Sequence, residues 1–246
     1  MKNITAIIPA RYDSTRFPGK PLALIAGRPM IEWTYANAKK CKLLSAVIVA
    51  TDDSRIAAAV EGFGGDVCLT SSEHPSGTDR IAEAADKLDL PADSIVVNIQ
   101  GDEPLIRPAT VRSVIEPLLE DDSLQMSTAS YRIRKDEEID NPNIVKVVTD
   151  KKGCALYFSR SLIPYSSGKR EVFYKHIGLY GYRKSFLARF SGLEPSPLEK
   201  REKLEQLRAL ENGFKIMVVK SDSDPVEVDV PGDIAKVLDE MRTERS

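Results

Sequence analysis

The sequence predicts an α/β protein: a mainly parallel sheet with helices on both faces, plus a smaller mixed α/β subdomain. Two observations predict it. Short, near-continuous Val/Ile/Ala runs recur at 4–8, 45–50, 66–69 and 94–99. They are too short and too branched for helices, and they lack the polar alternation of a half-exposed strand. Each is followed by a polar loop and a helix-like segment, the strand–helix rhythm of a parallel sheet.

The first strand, Ile4–Ile8, runs into the loop 9–21. The chain then enters a helix at Pro29-Met30-Ile31-Glu32-Trp33, where proline suits the first turn. The strand 45–50 ends in Thr51-Asp52-Asp53-Ser54, a turn able to cap the helix 55–62. Gly64-Gly65 resets the chain into the strand 66–69, and the polar loop 70–78 precedes a helix over 79–88, with Thr78 or Asp79 as cap. The strand 94–99 and a helix over 108–119 complete a first half of Rossmann-like rhythm, each crossover right-handed.

The second half is less regular. Strands are expected at 126–133, 144–149, 154–158, 176–182 and 214–220. A charged amphipathic helix is expected over 198–210, ended by Asn212-Gly213, and a terminal helix from about Pro231. A mobile loop is expected over 165–170. The chain is taken as a single domain, 1–246. About 1–125 is a nucleotide half, about 126–220 completes the sheet and adds a lid or dimer arm, and about 221–246 closes the fold.

Composition excludes several classes. Apolar residues are 42%, charged residues 29%, and the net charge is −2, so no basic field draws nucleic acid or an anionic membrane. No apolar run approaches a membrane span, and Ile4–Ile8 is interrupted by Pro9, unlike an export signal. The protein is expected to stay where it is made. Cys41, Cys68 and Cys154 lack metal-ligand spacing and are expected to be reduced structural thiols.

The chemistry concentrates at strand ends, where ligands bind in open α/β sheets. Arg11, Arg16 and Lys20 crowd the loop after the first strand and suit a polyanion, most simply a triphosphate; Pro18-Gly19 turns Lys20 back over it. The Walker A pattern fails at Ser14 and Pro21, and no G-x-G-x-x-G follows the strand. Asp102, after Gly101 at the end of another strand, is placed to hold a divalent metal on phosphates. Asp229 is either a second metal ligand or a helix cap. Ser76-Gly77-Thr78-Asp79-Arg80 lies at a helix start, where amides favour anions, and Arg80 could reach a base carbonyl or a phosphate. His176 begins an apolar strand and is either a cleft residue or a core histidine. His74 is expected to be merely solvated.

Several of these pieces share one resemblance. Ile8-Pro9-Ala10-Arg11-x-x-Ser14-Thr15-Arg16-x-Pro18-Gly19-Lys20-Pro21 resembles the nucleotide loop of sugar-activating nucleotidyltransferases. Gln100-Gly101-Asp102-Glu103-Pro104, Asn141-Pro142-Asn143-x-Val145-Lys146, Tyr157-Phe158-Ser159-Arg160, His176-x-Gly178-x-Tyr180-Gly181-Tyr182 and Leu204-Glu205-Gln206-Leu207-Arg208 narrow it. They are similar to the 3-deoxy-manno-octulosonate (Kdo) cytidylyltransferases, almost end to end.

The resemblance implies a nucleotide-diphospho-sugar transferase-like fold and CMP transfer from CTP to Kdo with release of diphosphate, with Mg²⁺, for lipopolysaccharide synthesis. It also implies a cytoplasmic homodimer. By motif, Arg11 and Lys20 would hold the triphosphate, with Pro9, Ala10, Ser14, Thr15, Ser76, Gly77, Arg80 and Gln100 around CTP. Asp102 and Asp229 would hold Mg²⁺. Gln100, Arg160, His176, Tyr180, Glu205 and Gln206 would bind the sugar acid. Two stretches depart from the pattern. Tyr165-Ser166-Ser167-Gly168 replaces an arginine and an acid common in relatives, and Val228-Asp229-Val230-Pro231-Gly232-Asp233 replaces Val-Asp-Thr-Pro-Glu-Asp. The first admits a close analogue such as 8-amino-Kdo as substrate. A regulator that binds nucleotide without turnover is the alternative of another class, against which the intact Arg11, Lys20, Asp102 and Asp229 argue.

Overall fold

The first strand, β1 (Ile4–Ala10), is the axis of the molecule. Ile4, Ala6, Ile8 and Ala10 face one core and Ile7 the other, so both faces are buried, and even the polar Thr5 is 2% exposed. The structure is a computed structural model and describes residues 2–14, 16–166 and 172–243.

A small hairpin, β2 (Leu24–Ile25) and β3 (Arg28–Pro29), leads into α1 (Met30–Ala38). Then follow β4 (Ala46–Thr51), α2 (Ser54–Gly62), β5 (Asp66–Leu69), α3 (Gly77–Lys87), β6 (Ile95–Asn98) and α4 (Pro108–Glu120). The second half holds β7 (Met126–Arg132), α5 (Asp136–Ile139), β8 (Lys146–Thr149), β9 (Ala155–Ser159), β10 (Tyr174–Arg183), α6 (Lys184–Ser191), α7 (Pro197–Glu202), α8 (Gln206–Glu211), β11 (Ile216–Lys220) and α9 (Asp233–Thr243).

The main sheet runs β11-β7-β10-β6-β1-β4-β5, with β8 and β9 attached beside β10. β1 pairs in parallel with β4 and β6, and β4 with β5. β10 inserts antiparallel between β6 and β7, so the second half completes the sheet of the first. Helices α1, α2 and α4 pack on one face, α3, α6 and α8 on the other. A third cluster joins Ile25, Met30, Val228 and Val237, tying the last helix to the first hairpin.

Four expectations are corrected. The helix expected over 198–210 is two short helices, α7 and α8, because Lys203 takes the left-handed conformation at φ 55 and ends the first. Ser76, not Thr78 or Asp79, caps α3, its hydroxyl accepting from the Asp79 amide at 3.1 Å. The terminal helix starts at Asp233; its side chain accepts from the amides of Asp229 and Val230, both at 3.0 Å, so Asp229 is not the cap. His74 is not merely solvated: Nε2 bonds Glu83. The helix α6 was not expected. Residues 167–170 of the expected mobile loop lie outside the described residues.

Candidate active site

The loop after β1 is shaped by one glycine. Gly19 sits at φ 70, its amide donates to the Tyr12 carbonyl at 2.9 Å, and a Cβ there would stand 3.2 Å from the Tyr12 ring. The turn starts a short 3₁₀ helix, Lys20–Leu22, and aims Lys20 inward. The Lys20 ammonium donates to the Asp102 carboxylate at 2.5 Å and lies 3.6 Å from that of Asp229. Arg16 pairs with the other oxygen of Asp229 at 2.9 Å.

Asp102 is presented by the turn after β6. That turn approaches β1 so closely that a Cβ on Gly101 would lie 3.0 Å from the Pro9 carbonyl. α1 holds it from beneath: Thr34 donates to the Gly101 carbonyl at 3.2 Å and Asn37 to that of Pro104 at 2.7 Å. The segment carrying Asp229 is held by the Val228 amide, which donates to the Asp102 carbonyl at 3.0 Å. Asp102 and Asp229, 127 positions apart in the sequence by subtraction of their numbers, therefore share one ammonium.

A third carboxylate joins them. Oxygens of Asp102, Glu227 and Asp229 all lie within 4.8 Å of one another. Desolvation and then the Asp102 and Asp229 charges push the Glu227 carboxyl up to about 7. Three hard oxygen donors in mutual reach are the chemistry a hard divalent cation such as Mg²⁺ takes. Sequence reasoning missed Glu227. The signal was present, since positions 227 and 229 of an extended segment share a face while the intervening Val228 is buried. Glu103, next to Asp102, is buried, and burial and then the charge of Asp102 push its carboxyl well above the ordinary carboxylate range.

Pro9, Ala10, Arg11, Ser14, Lys20, Gly77, Gln100 and Asp102 line one cavity of about 220 Å³. Arg11 closes it by donating to the His74 carbonyl at 2.7 Å. Ser76 lies beside this wall as the α3 cap. Arg80 lies behind it and is fully buried; it donates to Thr70 at 2.6 Å and pairs with Asp52 at 3.0 Å. Its Nε has no acceptor among the described residues. Thr15 lies outside the described residues.

A second cavity, about 490 Å³, opens next to the carboxylates and is lined by His176, Glu227, Asp229 and Asn143 among others. Burial lowers His176 to about 3, so the ring is neutral. Its Nε2 lies 2.9 Å from the Thr128 hydroxyl, which also faces the carbonyls of Ile177 at 3.2 Å and Leu179 at 2.9 Å. The single Thr128 hydroxyl thus lies among one ring nitrogen and two carbonyls, with one proton to give. A bulge between Ile177 and Tyr180 re-aims this part of β10 and brings the rings of His176 and Tyr180 to 5.3 Å. Gln100 donates to the Gly178 carbonyl at 3.2 Å and so touches both cavities' walls.

The other expected sugar residues, Tyr180, Glu205, Gln206 and Arg160, do not line the His176 cavity. Glu205 accepts from Thr78 at 2.5 Å, and its charge reaches Tyr180. Gln206 is 4% exposed and its Nε2 has no acceptor among the described residues. Arg160 approaches from the far side, with Nε on the Glu202 carbonyl at 2.8 Å and Nη1 on the Pro142 carbonyl at 3.0 Å. A larger cavity, about 720 Å³, lies by β8 and β9 and is lined by none of these residues.

The cytidylyltransferase family model matches residues 5–216. The 3-deoxy-manno-octulosonate cytidylyltransferase of Geotalea uraniireducens (strain Rf4) is 53% identical over 251 residues, covering 97% of this chain and 99% of its own length. That of Syntrophus aciditrophicus (strain SB) is 53% identical over 241 residues, covering 97% of each. Among solved structures, a CMP:2-keto-3-deoxy-manno-octonic acid synthetase complexed with CTP superposes with a TM-score of 0.93. It is 40% identical and covers 99% of this chain and 100% of that one. A 4-diphosphocytidyl-2C-methyl-D-erythritol synthase from Anaerococcus prevotii DSM 20548, at 15% identity and a TM-score of 0.64, shares the fold.

Proposed function

The chain belongs to the cytidylyltransferase family, and we infer that it transfers CMP from CTP to Kdo, releasing diphosphate, for lipopolysaccharide synthesis. The observation that carries this is similarity over nearly the whole length to Kdo cytidylyltransferases at about half identity.

The sugar's anomeric hydroxyl attacks the α-phosphorus of CTP. One P–O bond forms, the bond to the departing diphosphate breaks, and the hydroxyl proton is released. No covalent enzyme intermediate is needed. Catalysis then rests on positioning and on neutralising charge as it develops. Lys20, Arg11 and Arg16 meet the triphosphate and the leaving diphosphate. Gln100 and Gly77 shape the floor between nucleotide and sugar. Neutral His176 and the polar groups of Tyr180, Glu205, Gln206 and Arg160 bind the sugar acid. Mg²⁺ is proposed at Asp102 and Asp229, where it would polarise the α-phosphate and acidify the attacking hydroxyl. What supports this placement is the resemblance and the hard-oxygen donor set of Asp102, Glu227 and Asp229. A homodimer is also proposed. It is supported by the exposed Leu156 and Val172, which line the same cavity by the β8–β9 hairpin. No described helix is long and apolar enough to cross a membrane; a cytoplasmic location is proposed from the resemblance.

Incubating the protein with CTP, Mg²⁺ and Kdo and measuring diphosphate release tests the function. Turnover with Kdo is the expected result. Folded protein that binds CTP without releasing diphosphate would instead mark a regulator, and faster release with 8-amino-Kdo would reassign the sugar. For the dimer, a Leu156→Glu variant is expected to sediment as a monomer, and an unchanged mass would overturn the interface.

A further inference from the structure

The first turn of α3 joins the cavity at the end of β1 to Glu205. Gly77 lines the cavity at the end of β1, where a Cβ would lie 3.5 Å from Pro9. The next residue, Thr78, points the opposite way. It is 3% exposed, and its hydroxyl donates to the Glu205 carboxylate at 2.5 Å. Glu205 lies near Ser76 and Arg208 as well. Its second oxygen is buried, lies 3.7 Å from the Arg208 guanidinium, and accepts no hydrogen bond among the described residues. Arg208 itself is engaged by both oxygens of Glu199, at 2.8 and 2.5 Å. Asn98, at the end of β6, accepts from Gln100 at 3.2 Å.

We propose that Thr78 is a positioning residue for the sugar: its hydroxyl fixes the Glu205 carboxylate so that the unpaired oxygen accepts a hydrogen bond from a hydroxyl of the bound sugar acid. This rests on the reading of Glu205 as a sugar-binding residue. The physical case has three parts. A hydroxyl donating to a carboxylate makes a strong, short bond that defines the acceptor's orientation. Thr78 is β-branched and buried, so few χ1 rotamers are open to it. A buried acceptor left unpaired is costly until a ligand donor arrives, so a hydroxyl reaching it gains more than it would from a solvated carboxylate. The same helix turn carries the wall of the nucleotide cavity, so the sugar acid's partner is registered to CTP through two adjacent residues.

The test is a steady-state comparison of Thr78→Val, Thr78→Ser, Glu205→Gln and the Thr78→Val/Glu205→Gln double variant, each checked for folding by its unfolding midpoint. Thr78→Val keeps the shape and removes the donor. Its KM for Kdo is expected to rise about tenfold, with KM for CTP within about twofold, as loss of one binding contact to one substrate requires. Thr78→Ser is expected to restore wild-type KM. The double variant is expected to be little worse than Glu205→Gln alone, because both changes break one unit. An unchanged KM for Kdo in Thr78→Val, equal rises for both substrates, failure of Thr78→Ser to rescue, or additive effects in the double variant would each overturn the proposal. If Thr78→Val does not fold, Thr78→Ala takes its place in the same comparisons. An unchanged KM for Kdo in Glu205→Gln would overturn the reading of Glu205 itself. A raised KM there with none in Thr78→Val would overturn only the role of Thr78.

Discussion

Asp102 holds the Lys20 ammonium at 2.5 Å, and Asp229 shares it at 3.6 Å. Asp102→Asn keeps the shape and removes the charge. It is expected to cut kcat by about 100-fold or more while the unfolding midpoint moves only slightly, read from diphosphate release and thermal melts. A rate near wild type would show that the Asp102 charge is not required. His176 makes a second prediction. Its folded pKa of about 3 lies below its ordinary 6.5, so the neutral ring's contribution to stability is complete above pH 6.5 and is lost as the pH falls toward 3. The ring's NMR signals are expected to stay those of neutral imidazole from pH 8 down to about 4. Relative to a His176→Gln variant, the wild type is expected to lose roughly 2 kcal/mol of unfolding free energy between pH 6.5 and 5. A ring titrating near 6.5 would show the site open to water. At this scale the acids and cations after strand ends were legible in sequence, because residue type and turn chemistry are local. Glu227 was not recognised, because its meaning depends on Asp102 across the fold.

Lys146 knits one loop to one strand. It is fully buried, and its ammonium donates to the carbonyls of Asn141 at 2.9 Å, Ile144 at 2.7 Å and Arg160 at 2.8 Å. Burial lowers its pKa, but three carbonyl acceptors leave it fully bonded. Lys146→Met would leave three buried carbonyls without that donor. It is expected to cost roughly 3 kcal/mol in denaturant unfolding. The motif around Lys146 was visible as a resemblance, whereas its role as a joint between residues 141–144 and the end of β9 needed the structure. Gly181 in β10 makes a parallel point. A Cβ there would stand 2.7 Å from the Ser127 hydroxyl and 2.8 Å from the Val114 carbonyl. Gly181→Ala is therefore expected to destabilise by about 2 kcal/mol through overpacking of α4 against the sheet, read in the same unfolding experiment. The helix α6 escaped the sequence reading because its apolar residues, Phe186, Leu187 and Phe190, follow β10 without a loop to announce a new element.

The whole molecule is one sheet whose strand ends carry two adjoining cavities. A ligand seated there stabilises the native state by an amount that grows with the logarithm of its concentration over Kd. CTP with Mg²⁺ at about 100 times Kd is expected to add about 2.7 kcal/mol and to raise the melting temperature by about 5–10 °C. A Lys20→Met variant is expected to lose most of that shift, and an unaltered shift would remove Lys20 from the nucleotide site. The strand–helix rhythm, the buried parallel strands and the charged turns at their ends were determined by the sequence alone. Each is written within about ten consecutive residues, in hydrophobic period and turn chemistry. Only the tertiary structure decided that β10 enters antiparallel between β6 and β7, so that Gln100 touches Gly178 and the His176 cavity opens beside Asp102 and Asp229. Strand neighbours are selected by long-range hydrogen bonding and by burial of both sheet faces, and no local stretch of sequence carries that choice.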